Sequence, residues 1–163
     1  MLLWFAGGAL VAVWQVFRDP AIDYRLVIAG AVAPDVVDGA LGGARVLHTL
    51  AFSVVLLGAV MLATRGRRGA RRRFLALPIG TFLHLVLDAV WARTEVFWWP
   101  LSGLSFGGAG LPSLSRPAAL VALQELAGAA ALAWWWARFR LGEPERRRYF
   151  ARTGRVGRDL AGP

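Results

Sequence analysis

The chain has 163 residues, of which 57% are hydrophobic and 18% charged, with a formal net charge of +9 and no cysteine. Its mean hydropathy is +0.51. Soluble domains are usually about 45 to 50% apolar and about 25% charged, so this chain has more apolar surface than one domain of its length can bury. The composition excludes a disordered chain and a disulfide scaffold, and it favours a membrane protein.

Five apolar segments are candidate membrane helices. They are residues 2–17, 26–44, 46–63, 74–91 and 118–137. About 20 helical residues cross a hydrocarbon core of about 30 Å. The first segment has no basic leader and no small-residue cleavage pattern, which favours a retained helix over a signal peptide. The sequence therefore predicts an all-α, polytopic integral membrane bundle over residues 1–141, with about five transmembrane or re-entrant helices.

The second segment is the least regular of the five. Pro34, Asp35, Asp38 and several glycines interrupt it. It is either a short span or a half-helix that enters the membrane and turns back. Broken backbone at membrane depth requires cover from protein or from a wet cavity, so both alternatives predict a cavity at this segment.

The basic charge is segregated along the chain. All basic residues are arginine, and most of them lie in residues 65–73 or after residue 137. Arginine concentrated in short connections and tails beside apolar segments is typical of the cytoplasmic side of a membrane protein. We therefore expect a basic cytoplasmic tail at residues 142–163, a cytoplasmic C-terminus and, if all five segments span, an N-terminus on the other side.

The same pattern bears on localisation and partners. Exclusive use of arginine is typical of GC-rich bacterial genomes, so we expect a multi-pass protein of the bacterial cytoplasmic (inner) membrane. Membrane lipids are the expected partners, because anionic lipid attracts a basic tail. Nucleic acid is not expected, since the arginines follow membrane topology rather than one face. A homo-oligomer is left open.

Five ionisable side chains lie in or beside the apolar segments, where each costs about 2.5 to 3.5 kcal/mol on insertion scales. Asp35 and Asp38 are three residues apart, which places them on one helix face. His84 and Asp88 are four apart and also share a face. His48 begins the third segment. Imidazole and carboxylate ligands suit zinc best in this setting, with manganese, iron and magnesium as alternatives.

These residues predict a divalent metal site. The expected ligands are Asp35, Asp38, His48, His84 and Asp88. A metal with an open position activates water for attack on an ester or phosphoester, and Asp35, Asp38, His84 and Asp88 would form the catalytic group, one carboxylate acting as general base. The structural alternative is that these groups hydrogen-bond one another and the backbone and only hold the helices together.

Four further polar residues belong near the same membrane face. Arg45, Arg93 and Arg116 are expected outside, either as interface anchors or as binders of a substrate phosphate. Arg45 is the favoured substrate-binding residue because it lies between Asp38 and His48. Glu125, in the last segment, is either a helix-helix hydrogen-bonding group or a carboxylate that orients a ligand histidine.

Several of these motifs resemble those of the LexA-regulated, membrane-bound metal-dependent hydrolases. In chain order they are Pro34-Asp35-Val36-Val37-Asp38, Arg45 with His48-Thr49-Leu50-Ala51-Phe52-Ser53, Gly80-Thr81-Phe82-Leu83-His84-Leu85-Val86-Leu87-Asp88, and Phe97-Trp98-Trp99-Pro100-Leu101. The chain departs from the family pattern in its longer aspartate spacing and in Ala44, where the family often has a histidine. The resemblance implies a multi-helix inner-membrane protein with metal-dependent hydrolase activity.

The sequence thus predicts an integral membrane metal-dependent hydrolase. Its expected substrate is an ester or phosphoester of a lipid-like molecule, because the site opens at headgroup level on the extracytoplasmic side. Two alternatives stay open. One is a non-catalytic membrane protein with a structural polar cluster, and the other is a small ion carrier, since acids on a broken helix also occur in transporters.

Overall fold

The computed structural model describes residues 1–106, 110, 111, 115–157 and 159, and all regular structure in this part of the chain is helical. The all-α prediction is confirmed there. The α-helices are α1 (Leu2–Phe17), α2 (Tyr24–Ala40), α3 (Leu50–Ala63), α4 (Arg68–Phe74), α5 (Ala76–Leu87), α6 (Thr94–Phe97), α7 (Ala118–Arg138) and α8 (Pro144–Thr153). Short 3-10 turns lie at Val46–His48 and Val90–Ala92.

Two predicted segments are divided by local capping. Thr49 begins α3, and its hydroxyl accepts a hydrogen bond of 3.0 Å from the Phe52 N–H, so residues 46–48 form a separate turn. Helix α5 ends at Leu87, and Ala89 follows in the left-handed region at φ 51°. The predicted segment 74–91 therefore becomes the end of α4, all of α5 and a turn.

Helix α2 runs continuously through Pro34. A proline inside a helix removes one backbone hydrogen bond and usually kinks or breaks the helix. Here the helix continues to Ala40, packed along α1 and α5. The segment therefore does not turn back at Pro34, and it joins the two ends of the bundle.

The two ends of the bundle differ in charge. At one end the α1–α2 connection is ion-paired to the arginines of α4, through Asp19 with Arg72 and Asp23 with Arg73. The Tyr24 N–H donates to the Gly154 carbonyl at 2.8 Å. We call this end, formed by residues 18–23, 64–75 and 139–157, the arginine end. The opposite end, with residues 41–49 and 88–100, is the histidine end.

The C-terminal tail is docked on the arginine end. Val156 is buried, and its N–H donates to the Pro20 carbonyl at 3.2 Å. The predicted basic tail therefore contains folded structure up to residue 157. Residue 158 and residues 160–163 of the predicted tail lie outside the described part.

The ion pairs at the arginine end also set the pKa of Asp23. Burial alone would raise this pKa, but the hydrogen bonds of Asp23 to Arg25 and the charge of Arg73 hold it below its ordinary value.

Glycines allow two close helix crossings. A Cβ at Gly30 would overlap the Leu77 carbonyl of α5, and a Cβ at Gly80 would overlap the Val27 carbonyl of α2. A Cβ at Gly128 of α7 would likewise overlap the backbone of α1 at Leu3. Small residues at such crossings let the backbones approach closely, which is how helices associate without a hydrophobic driving force.

Much of the outer surface of the bundle is apolar. Val16 is 74% exposed, Leu62 74% and Leu126 69%. One described helix, α7, is long and apolar enough to cross a bilayer, and Leu2–Phe17 and Leu50–Ala63 are shorter apolar helices. Large exposed apolar patches are typical of surfaces that contact a membrane or another protein.

We predict that Gly80→Ala lowers the free energy of unfolding by about 1 to 3 kcal/mol, as overpacked core sites do, because the new methyl group overlaps the α2 backbone. Gly58→Ala in α3 is the matched control. Nothing lies within 4 Å of a Cβ at Gly58, so the better helix propensity of alanine should leave stability unchanged or raise it by up to about 1 kcal/mol. Thermal unfolding in detergent measures both, and equal melting temperatures would contradict the prediction.

Candidate metal centre

Four ligand-type side chains converge at the histidine end. They are Asp35, His48, His84 and Asp88, each of which offers one ligand atom within 4.8 Å of the others. We call them the four-residue cluster. Asp35 comes from α2, His84 from α5, Asp88 from the C-cap of α5, and His48 from the turn before α3. This group could hold a metal ion.

The α2–α5 crossing explains how two of these residues meet. Both helices run from the arginine end to the histidine end. Asp35 lies five residues beyond Gly30, and His84 lies four residues beyond Gly80. Both side chains are therefore about one turn past the crossing, since an α-helix has about 3.6 residues per turn. The chain after α2 then folds back and brings His48 over them.

The cluster is tightly spaced around the two histidine Nε2 atoms. They are 3.3 Å apart. Asp35 Oδ1 lies 3.5 Å from His48 Nε2 and 3.7 Å from His84 Nε2. Three ligand atoms from three segments of the chain therefore surround one point.

The outer nitrogens of the two rings determine which tautomers are present. His84 Nδ1 lies 2.8 Å from the Ala31 carbonyl oxygen. A carbonyl oxygen only accepts, so the proton of a neutral His84 is on Nδ1. His48 Nδ1 lies 2.8 Å from Asp38 Oδ2, and the same argument places its proton on Nδ1. The Nε2 lone pairs of both neutral rings therefore face each other and the Asp35 carboxylate.

Asp38 lies behind His48 and not among the converging atoms. Its Oδ2 accepts hydrogen bonds from the backbone N–H groups of Arg45, Leu47 and His48 at 2.8, 3.0 and 3.2 Å, as well as from the His48 ring. The three-residue spacing predicted Asp38 beside Asp35 as a ligand, because both lie on one helix face. The chain that folds back after α2 donates hydrogen bonds to the Asp38 carboxylate, so Asp38 holds and orients His48.

Asp88 closes the cluster on the side of α7. Both of its carboxylate oxygens are buried without a hydrogen-bond partner among the described residues. The Arg116 guanidinium forms an ion pair with it, Nη2 lying 3.0 Å from Oδ1, although the angles are not those of a hydrogen bond. Arg116 also donates to the Asp88 carbonyl oxygen at 2.7 Å. A buried carboxylate with unfilled acceptor sites is suited to a cation.

Two predicted site residues lie apart from the cluster. Arg45 is exposed, and it contacts the site through its backbone N–H. Glu125 accepts a hydrogen bond of 3.1 Å from the Leu3 N–H, and its Oε1 is 3.6 Å from the Met1 nitrogen. The Met1 nitrogen in turn lies 3.9 Å from Asp35 Oδ2. No contact among the described residues joins Glu125 to either histidine, so it does not orient them.

The position of Arg45 between Asp38 and His48 favoured it over Arg116 as the substrate-binding residue, and no sequence pattern predicted the wall of the site. The Phe5 ring packs on His84 with 4.1 Å between ring centroids. Both histidines are 0% exposed. No sequence signal links Phe5 to His84, since the two are 79 positions apart and belong to different helices.

Comparison with known protein families, curated proteins and solved structures finds no match to this chain. The resemblance to the LexA-regulated hydrolases therefore rests on the quoted motifs and stays a prediction.

We predict that Asp38→Ala destabilises the protein strongly. The substitution leaves the His48 ring and the N–H groups of Arg45 and Leu47 without their acceptor, whereas the His48 N–H keeps the Arg45 carbonyl. Each unsatisfied buried group costs about 1 to 3 kcal/mol. Arg45→Ala, which keeps the backbone donor and removes an exposed side chain, should change the melting temperature little. Circular dichroism melts measure both variants, and similar melting temperatures would show that Asp38 does not hold this turn.

Proposed function

We propose that this protein is an integral membrane metal-dependent hydrolase whose metal site is the four-residue cluster. One observation carries the proposal. The Nε2 atoms of His48 and His84 lie 3.3 Å apart beside the Asp35 carboxylate, and in neutral rings that donate from Nδ1 both Nε2 atoms carry lone pairs. Such lone pairs repel unless a proton or a metal cation lies between them. A divalent metal ion supplies that cation, and its ligands would be Asp35, His48, His84 and Asp88.

The spacing of the cluster supports a small tetrahedral ion. Ligands about 2.0 to 2.1 Å from a tetrahedral zinc ion lie about 3.3 to 3.4 Å from one another. The Nε2 and Oδ1 separations of 3.3, 3.5 and 3.7 Å are close to that value. Zinc is therefore the favoured metal, and manganese, iron and magnesium are the alternatives that the same donor atoms accept.

The buried charges support a single divalent ion. Asp35, Asp38, Asp88 and Glu125 contribute four negative charges, and Arg116 and the Met1 ammonium compensate two of them. Two negative charges then stay inside an apolar bundle, where uncompensated charge is very costly. One divalent cation neutralises them. Neither histidine needs to be charged, because each donates from Nδ1 as a neutral ring.

The proposed reaction is hydrolysis of an ester or phosphoester. A divalent cation with an open position supplies Lewis-acid chemistry and activates water at neutral pH. The protein contributes the donor set, the fixed His48 ring and the apolar Phe5 ring packed on His84. Four protein ligands fill a tetrahedral ion, so an open position would require Asp35, the most exposed of the four at 7% of its side chain, to leave the ion. Its carboxylate would then be free to receive a proton from water and to pass it to the leaving alcohol.

A lipid-like substrate is proposed from an apolar groove along the bundle. The groove has a volume of 480 Å³ and lies between α1, α3 and α5. Its lining is almost entirely apolar and includes Leu50 and Leu83, which are close in sequence to His48 and His84. An acyl chain in this groove would place its ester at the histidine end.

We propose that the bundle is inserted in the bacterial cytoplasmic membrane with the arginine end inside. Exposed apolar side chains cover the helices, and the arginines concentrate at one end. Arginine on the cytoplasmic side is the usual membrane orientation. The metal site then lies on the extracytoplasmic side, membrane lipids are the surrounding partners, and five helical segments cross.

We predict that the protein binds one equivalent of a divalent metal. Elemental analysis of the purified protein should show stoichiometric zinc, and a chelator should lower the melting temperature because a ligand of the folded state stabilises it. His84→Ala should abolish binding. Glu95→Gln, which removes an exposed carboxylate at the same end, is the matched control and should keep the metal.

A metal-free wild type whose stability does not respond to chelator would contradict this proposal. It would support the non-catalytic alternative, in which the cluster only joins α2, α5 and the turn before α3. Metal flux through reconstituted vesicles would instead support the ion carrier.

We predict opposite accessibility for the two ends of the bundle. The natural sequence has no cysteine, so single cysteines report position cleanly. Leu104→Cys, at a side chain that is 83% exposed beyond the histidine end, should react with a membrane-impermeant maleimide in intact cells. Arg67→Cys at the arginine end should react after permeabilisation only. The reverse pattern would invert the proposed orientation, and labelling of both in intact cells would contradict membrane insertion.

A further inference from the structure

The Arg116 guanidinium lies directly beside the four-residue cluster. Nη2 is 3.0 Å from Asp88 Oδ1 and 2.7 Å from the Asp88 carbonyl oxygen. Nη1 donates to Gln124 Oε1 at 3.3 Å. Contacts with the end of α5 and with α7 therefore hold the guanidinium in place.

Arg116 is more exposed than the cluster beside it. The side chains of His48, His84 and Asp88 are 0% exposed, that of Asp35 is 7% exposed, and that of Arg116 is 16% exposed. Of these five side chains, Arg116 and Asp35 are therefore the two with surface that a ligand can contact.

The other two arginines at this end are directed elsewhere. Arg93 donates to the Gly110 carbonyl at 3.0 Å and to Ser115 Oγ at 2.7 Å. Arg45 is exposed on the turn that follows α2. Of the three arginines that the sequence analysis considered, Arg116 is the one whose guanidinium contacts the cluster.

The charges around Arg116 favour an anionic ligand. A divalent ion held by Asp35 and Asp88 takes up both of their negative charges. The positive charge of Arg116 is then balanced only by Asp38, which lies on the far side of His48, bound to that ring and to three backbone N–H groups.

The Arg116 guanidinium also has a donor to offer. Its Nη1 and Nη2 contact Gln124, Met1 and Asp88, and its Nε–H has no partner among the described residues. Planar guanidinium donors match phosphate oxygens.

We infer that Arg116 binds an anionic oxygen of the substrate, and that the substrate is a phosphoester rather than a neutral carboxylic ester. This inference rests on the proposed metal-dependent hydrolase function. It gives Arg116 the substrate-binding role that the sequence analysis gave to Arg45.

Inorganic phosphate is the probe that tests the inference. Calorimetric titration of phosphate into the zinc-loaded protein, at constant ionic strength, should show saturable binding. Arg116→Gln should weaken it about 10- to 100-fold, the effect of losing a hydrogen bond to a charged group. Arg116→Lys, which keeps the charge without the planar donors, should give an intermediate affinity. Arg45→Gln is the matched control and should bind phosphate as the wild type does.

Metal content, measured on every variant, separates the two proposals. If the wild type binds no metal, the proposed function fails first. If the metal is present but phosphate does not bind, or binds equally to wild type and Arg116→Gln, the inference is overturned while the metal site stands. Loss of the metal from Arg116→Gln would also overturn it, because Arg116 would then serve to hold Asp88. Should Arg116→Gln not fold, equal affinities of Arg116→Lys and wild type would overturn it.

Competition experiments identify the source of the phosphoester. Glycerol 3-phosphate and a short-chain phosphatidic acid carry the same phosphate monoester, and the second also has acyl chains for the apolar groove. Stronger displacement of phosphate by the phosphatidic acid supports a lipid substrate, and stronger displacement by glycerol 3-phosphate supports a soluble one.

Discussion

Helices α2 and α5 touch backbone to backbone where Gly30 meets Gly80. Because the two helices run in the same direction, this contact aligns Asp35 with His84 one turn further on. The same close approach allows the His84 ring to donate from Nδ1 to the Ala31 carbonyl of α2. That hydrogen bond orients the ring and leaves Nε2 without a proton. A side chain at either glycine would separate the helices, and with them the atoms on which the proposed metal site depends.

Charged side chains are paired at the arginine end but not fully balanced at the histidine end. At the arginine end, acids and arginines are paired across connections, as in Asp23 with Arg25 and Arg73. The histidine end holds more buried carboxylate than buried positive charge. Its excess is confined to the four-residue cluster and to Asp38, which has its own donors. The imbalance therefore lies at the point where the Nε2 atoms converge, and a cation is the simplest way to neutralise it.

Much of the helical plan follows from hydrophobicity along the chain. Residues 118–137 were predicted almost to the residue of α7, since no proline interrupts that stretch and Glu125 is its one charged residue. The prediction was weaker where a single side chain acts through hydrogen bonding. Thr49 divides one segment by capping α3, and α2 passes through Pro34 because its packing against α1 and α5 outweighs a missing hydrogen bond. Neither effect is visible in hydropathy.

The sequence by itself determined that Asp35, His48, His84 and Asp88 need a partner or a purpose, because ionisable groups in apolar segments are costly wherever the chain folds. Only the tertiary structure decided which of the nearby polar groups join them. Asp38 has the same helix-face spacing as Asp35, yet the chain beyond α2 folds back onto its carboxylate. Arg116 is 28 positions from Asp88 and reaches it because α7 packs on α1, which packs on α5. Local spacing is encoded within one helix, whereas these contacts depend on how separate helices cross.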